Sequence, residues 1–333
     1  MSYCQVSCFL PGDGKISVSD IDSFRSKMVN KLSDNSVDIS SGKPFIDCWS
    51  CDTSAKVYGA FSGTAYIVAC GGDFFSFHPL KLVSGNYFSG DDLNRDNILL
   101  DEDLAWLLFG GNDIEGQTVY IYNTPFRVAG VVTRENDQAS EKAYKGGLGL
   151  FMNYDTLVDL SATAYGESSG SSSSASAVTT TTDGLLPPKS VGITCYEVCM
   201  PDPVKNFAKG VVESEFPIGN GDIVVNTGRF DILNLVQIMK DFSLRSIHDG
   251  AAYSYWENAA RYAENKAAIF ILIGALVALL PEVFILVNLF RDMTSFNRRI
   301  RETVLPAATE NISEAVRKRQ RRRWEKLHPD SRD

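Results

Sequence analysis

Cys48 and Cys51, in C-W-S-C, have the spacing of a dithiol redox pair. That chemistry needs the leading thiol at a helix N-terminus, where its pKa falls. The surrounding F-I-D-C-W-S-C reads instead as a strand, which sends positions i and i+3 to opposite faces. Asp47 and Asp52 would also raise both thiols. The pair is therefore expected to serve as ordinary small apolar strand residues. Cys4 with Cys8, and Cys195 with Cys199, each share a strand face; a disulfide between the two pairs stays open, because spacing does not reveal pairing. Asp92, Asn94 and Asp96, within D-D-L-N-R-D-N-I-L-L-D-E-D over 91–103, partly mimic a calcium loop. Asn97 stands where the turn glycine belongs and Asp103 where the bidentate glutamate belongs, so a solvated turn entering an acid-rich helix N-terminus explains them more simply. His78, His248 and His328 are scattered and form neither a metal cluster nor a triad. G-D-G-K-I-S at Gly12 has the wrong glycine spacing for a phosphate loop. No catalytic residue, cofactor or metal ligand is expected, and any ATPase is another polypeptide.

Two further groups act at a membrane. Residues 267–290, AAIFILIGALVALLPEVFILVNLF, carry one ionisable group in a stretch of about 36 Å as a helix, enough to cross roughly 30 Å of hydrocarbon. The stretch is apolar around nearly its whole circumference, unlike a core helix with one polar face. Glu282 would sit about 12 Å from the end of this span, where an ionised carboxylate costs about 2.5–3.5 kcal/mol. Gly274, Ala278 and Glu282 recur at i, i+4 and i+8, a small-residue face suited to a partner helix, and Pro281 frees a backbone carbonyl beside it. Beyond the span, R-K-R-Q-R-R-R-W-E-K includes Arg321, Arg322 and Arg323, candidates for contact with anionic lipid headgroups.

Charge divides the same way. Residues 291–333 hold 12 Lys and Arg against 7 Asp and Glu, whereas 1–266 hold 20 against 33. The net charge of -9 argues against nucleic-acid binding by the body of the protein. The basic tail places 291–333 on the cytoplasmic side of a plasma membrane and the acidic region outside it. Tyr253, Tyr255, Trp256 and Tyr262 would form the interfacial aromatic belt. MSYCQVSCFL lacks the basic start and apolar core of a secretory signal, so an upstream membrane helix missing from this chain is expected; the inverse topology is the alternative.

The elements that must position these groups read as α+β. A strand over 3–9 turns at Pro11 and Gly12 into a helix, where Ser19 and Asp22 resemble a capping box and Ile21, Phe24, Met28, Val29 and Leu32 share a face. Strands are expected over 45–51, 55–61 and 64–70. A strand over 193–200 and a helix over 204–215 repeat the opening grammar around C-Y-E-V-C-M-P, which suggests two βα modules. Between them, 98–132 predict a short strand, a helix from Asp101 to Phe109 stopped by Gly110 and Gly111, and a hairpin of 117–123 with 126–132. Residues 161–189, rich in Ser and Thr, read as a flexible linker.

D-F-F-S-F-H-P-L-K-L-V-S-G-N-Y-F-S, L-A-W-L-L-F-G, G-Q-T-V and V-A-G-V, in that order between 73 and 131, resemble the periplasmic core domain of MacB-like ABC transporter permeases. The resemblance extends through I-T-C-Y-E-V-C-M-P-D-P-V-K-N-F-A and Y-W-E-N-A-A-R to the apolar span. It implies an extracytoplasmic, porter-like α+β subdomain (1–72 and 190–252) with an inserted β-rich subdomain (73–160) and the linker (161–189). A juxtamembrane helix (253–266), one transmembrane helix (267–290) and a basic cytoplasmic tail (291–333) follow. It also implies a non-catalytic subunit of an ABC-type permease system, partnered by a separate ATPase and other permease or envelope proteins. The leading membrane helix and the multi-helix permease block of the family are not seen here. A standalone membrane-anchored binding or sensor protein reusing the same core is the alternative.

Overall fold

The structure, a computed structural model, describes residues 2–12, 16–37, 42–90, 92, 94–133, 135–143, 148–165, 186–238 and 253–327. It separates into two units, Met1–Ala268 and Ile269–Asp333. Most of the Ser/Thr-rich segment, His248 and His328 lie outside the described residues.

In the first unit, β1 (Tyr3–Phe9) leads into α1 (Val18–Asp34). The Asp20 carboxylate accepts hydrogen bonds from the Ser17 N–H at 2.9 Å and its hydroxyl at 2.7 Å, so the cap lies two residues before the expected Ser19–Asp22 pair. Ile21, Phe24, Met28 and Leu32 are buried along one face, as their spacing requires. β2 (Ile46–Tyr58) is one continuous strand where two were expected. The polar run Asp52–Ser54 read as a break, but its backbone pairs without interruption on Tyr66–Val68 of β3 (Ser62–Gly72), and that ladder holds it extended.

The chain continues through α2 (Phe74–Phe77), β4 (Lys81–Gly85), β5 (Asn97–Asp101) and α3 (Glu102–Phe109). Asp101 caps α3 by accepting from the Leu104 N–H at 2.7 Å, and Gly110 stops it in the left-handed conformation. β6 (Thr118–Ile121) and β7 (Thr124–Thr133) form the hairpin, turning at Tyr122 and Asn123, both with positive φ. Then come α4 (Gln138–Ala143), β8 (Leu148–Asn153), α5 (Tyr154–Tyr165), β9 (Cys195–Pro201), α6 (Phe207–Glu215), β10 (Asp222–Val225) and α7 (Ile232–Ile238). α6 begins three residues later than its sequence pattern suggests, after Asn206 in the left-handed conformation.

Among the described residues the ten strands form one mixed sheet, ordered β10-β1-β9-β2-β3-β8-β5-β7-β4, with β6 joined to β2 and β7. β1 and β9 lie side by side and antiparallel, and β8 runs parallel to β3. The fold class is therefore α+β. One face carries the larger core, in which Cys8, Trp49, Ile67, Leu150 and Tyr196 pack with residues of α1, α3, α5 and α6. The other face is smaller: Cys48, Val68, Cys70, Leu99 and Phe151 lie with Phe74, Leu80, Phe88 and Tyr255.

The helix α8 (Tyr255–Arg299) starts in the first unit and continues into the second, with Pro281 in its interior. It is long and apolar enough to cross a membrane, and its apolar side chains, such as Phe270 and Phe284, are exposed. A π-helical turn over Ile300–Val304 joins it to α9 (Leu305–Leu327).

Candidate functional site at the head of the long helix

Glu257, Arg261 and Glu264 are spaced i, i+4 and i+7, so they share one face of the first turns of α8. Glu257 and Glu264 are buried and Arg261 partly buried, against β10 and the segment that follows it. The Arg229 guanidinium donates to both oxygens of Glu257, at 2.8 and 3.2 Å, to Glu264 at 2.6 Å and to the Asn226 side-chain oxygen at 3.0 Å. Arg261 donates to Glu257 at 2.6 Å and to Asp222 at 3.0 Å, and its guanidinium lies 3.9 Å from the Tyr253 ring centre. Tyr253 also donates to Asp222 at 2.8 Å. Burial by itself would lower the pKa of Arg229, but its bonds to Glu257 and Glu264 outweigh that and hold it firmly charged. The balance at Arg261 has the same sign, with Glu257 the main partner. Edge strand β10 is thereby fastened to the helix head by multidentate, charge-assisted bonds.

Next to this clamp, a polar row on the smaller face reaches His78, on which the Trp256 ring packs. Ser7, Glu197 and Cys48 are register partners on the adjacent strands β1, β9 and β2, so their side chains line up across the sheet. Ser7 donates to one oxygen of Glu197 at 2.5 Å and accepts from Asn226 at 2.7 Å. The other oxygen of Glu197 takes a hydrogen bond from His78 Nε2 and lies 3.9 Å from the Cys48 thiol. The His78 ring packs 4.4 Å from Trp256 and 4.8 Å from Phe74, centre to centre. Burial opposes charge on Glu197, yet His78 and then Ser7 overcome it and hold the carboxyl below the usual range. Burial pushes the Cys48 thiol well up, and Glu197 pushes it further than Asp47 does. Gly72 delivers the chain from β3 into α2 and on to His78; it has φ +67°, and an added Cβ would stand 2.5 Å from the Asp47 carbonyl oxygen.

Cys48 belongs to the smaller core and Cys51 to the larger, on opposite faces of β2, and both thiols are raised by burial. The disulfide left open between the two cysteine pairs is excluded by register. Cys4 and Cys8 oppose Met200 and Tyr196, so they face α1 and α6, whereas Cys195 and Cys199 point to the other side; all seven cysteines are free. In the segment resembling a calcium loop, Asp92 accepts from the Ser89 N–H at 2.8 Å. Gly274, Ala278, Glu282 and the three arginines at 321–323 are exposed on the second unit. The E-x-x-x-R-x-x-E spacing just before the apolar stretch was the readable signal for the clamp. His78, Cys48 and Glu197 had none, being separated by up to 149 residues.

A family model described as the MacB-like periplasmic core domain matches residues 16–187, more than half of the chain. The chain belongs to that family. As a MacB-like protein it is an ABC transporter permease-type membrane protein with an extracytoplasmic domain. The macrolide export ATP-binding/permease protein MacB of Aggregatibacter actinomycetemcomitans is 31% identical over 109 residues, 32% of this chain and 15% of that protein. The MacB of Chromobacterium violaceum is 30% identical over 95 residues, 28% of this chain and 14% of that protein. The match thus takes in only a small part of each curated relative. Among solved structures, the periplasmic region of MacB from Actinobacillus actinomycetemcomitans aligns at TM-score 0.42 and 20% identity, covering 69% of this chain and 92% of that one. The extracellular domain of the ABC-type transporter YknZ from Gram-positive bacteria aligns at 0.38 and 13%, covering 63% and 88%.

Proposed function

We propose that this chain is a non-catalytic membrane subunit of an ABC-type permease system, and that its ectodomain couples movements of extracytoplasmic partners or substrate to the membrane. ATP hydrolysis belongs to a separate polypeptide. The observation that carries the reading is the clamp of Arg229 and Arg261 on Glu257, Glu264 and Asp222. It grips the first turns of the same helix that runs on through the apolar stretch. A force on the edge of the sheet is handed to that helix because the buried charges cannot separate cheaply: breaking such a pair from one side costs about 3–5 kcal/mol.

In this reading α8 spans the plasma membrane, α9 lies at the cytoplasmic surface, and Arg321, Arg322 and Arg323 attract anionic lipids. The face made by Gly274, Ala278 and Glu282 docks a helix of the partner permease, with Glu282 paired there. The test is purification of the tagged full chain from native membranes in mild detergent, where an ATPase and a multi-span permease should co-purify. A cysteine crosslink from α8 to the partner helix should vanish when Gly274 and Ala278 are both changed to Leu. Recovery of the chain alone, in its native membrane and without an ATPase, would favour the standalone anchored sensor instead.

A further inference from the structure

We propose that Cys48, His78 and Glu197 form a binding site for a divalent transition cation of the zinc class, a role independent of the transport reading. The three donor atoms, one sulfur, one imidazole nitrogen and one carboxylate oxygen, all lie within 4.8 Å of one another. Tetrahedral zinc, with bonds of about 2.0–2.3 Å, sets its ligands about 3.3–3.8 Å apart, so an ion is seated when the imidazole draws back from the carboxylate and the sulfur closes in, each by on the order of 1 Å. This donor combination suits a borderline cation and does not suit calcium or magnesium, which take oxygen.

The scaffold is built in the manner of a metal site. Cys48 and Glu197 are opposite one another on paired strands, which fixes two ligands on rigid backbone. Ser7 holds one oxygen of Glu197, and Asn226 in turn holds Ser7, leaving the second oxygen directed at His78 and Cys48. That is the outer hydrogen bonding that orients ligating carboxylates. His78 follows the end of α2, outside the sheet, and can swing by the needed distance without moving a strand. Its side chain is 14% exposed and provides the entry path, while Trp256 and Phe74 wall the site from bulk water.

On binding, the Cys48 thiol proton leaves to solvent and the sulfur bonds to the cation. His78 binds through Nε2: the proton that Nε2 donated to Glu197 leaves to solvent if the ring is an imidazolium, or moves to Nδ1 through solvent if the ring is neutral, so that Nδ1 carries the one remaining N–H and the former hydrogen bond is replaced by the two metal bonds. The cation supplies the positive charge whose absence makes a thiolate unfavourable beside Glu197. Three protein ligands leave the fourth position to water on the His78 side. The bound ion would tie together β2, β9 and the turn after α2 directly beneath Trp256 of α8.

The test is cobalt titration of the chelator-stripped full chain in detergent. A saturable near-ultraviolet thiolate-to-cobalt band is expected at one cobalt per chain, displaced by zinc. Cys48→Ser should lose the band, whereas Cys51→Ser, on the opposite face of β2, should keep it. His78→Gln and Glu197→Gln should each weaken binding at least tenfold, and Ser7→Ala about tenfold. X-ray absorption of the zinc-loaded wild type provides a reading that needs no variant, with one sulfur in the coordination shell. No saturable band in the wild type, a band that survives Cys48→Ser, unchanged affinity in Glu197→Gln, or zero or several sulfurs would each overturn the site.

Discussion

Replacing Arg229 with Met keeps most of the side-chain volume and removes the guanidinium that bridges Glu257 and Glu264. Arg229 is 10% exposed and its partners 2% and 3%, so solvent screens these pairs little. Glu257 retains Arg261 at 2.6 Å, whereas Glu264 loses a bond of 2.6 Å from a side chain 35 residues away. Removing one partner of a buried ion pair costs about 3–5 kcal/mol. In a unit of this size each kcal/mol lowers the melting temperature by about 2–4 °C, so a fall of roughly 10 °C follows. The assay is thermal unfolding of the detergent-solubilised full chain, read by near-ultraviolet circular dichroism, with hydrogen exchange at the first turns of α8 as a local probe. Adding Glu264→Gln to Arg229→Met should recover part of the loss, because a neutral amide costs less to bury than a carboxylate that has lost the Arg229 guanidinium. The reasoning is refuted if Arg229→Met melts within about 2 °C of the wild type, or if the two substitutions are simply additive.

Native-state alkylation should label Cys199 first, because it is the one cysteine not fully buried; Cys48, Cys51, Cys70 and Cys195 should react only on unfolding, as followed by mass spectrometry. An oxidant should form no crosslink between Cys4 or Cys8 and Cys195 or Cys199 in the native fold, and a crosslinked peptide pair would contradict the register. Gly72→Ala should destabilise by about 1–3 kcal/mol, since φ +67° and the Asp47 carbonyl both oppose a Cβ, and a denaturant midpoint unchanged from wild type would refute this. Ser17→Ala should cost about 1 kcal/mol in denaturant unfolding. The Ser17 hydrogen bonds lower the Asp20 pKa, so the contribution of the cap is present above the ordinary Asp range and lost as pH falls through the lowered value. Asp20→Asn should remove that dependence, and identical pH profiles for the two proteins would refute it.

The local elements were legible before any fold was known. α1 follows from the spacing of Ile21, Phe24, Met28 and Leu32, α3 from an acid-rich start and Gly110, and the hairpin from the alternation of Val119 and Ile121 with Tyr120. Each rests on periodicity within a few turns or one strand pair, where backbone geometry and burial agree. The cap of α1 and the continuity of β2 were misplaced because both depend on partners: Ser17 and Ser19 compete as caps, and the polar run Asp52–Ser54 is held straight by β3.

By itself the sequence determined the apolar length after residue 266, the opposite charge of its two flanks, the α+β alternation and the family motifs between 73 and 131. These are additive properties of neighbouring residues, and hydrophobic length or charge needs no fold to be counted. The tertiary structure alone decided which distant side chains meet. Ser7, Glu197 and Cys48 form a row only because β1, β9 and β2 pair in one register, and a slip of one residue would turn Glu197 to the opposite face. Arg229 reaches Glu264 only because β10 lies at the sheet edge nearest the head of α8. Contacts of this kind depend on chain topology, and a linear reading of residue types carries no term for it.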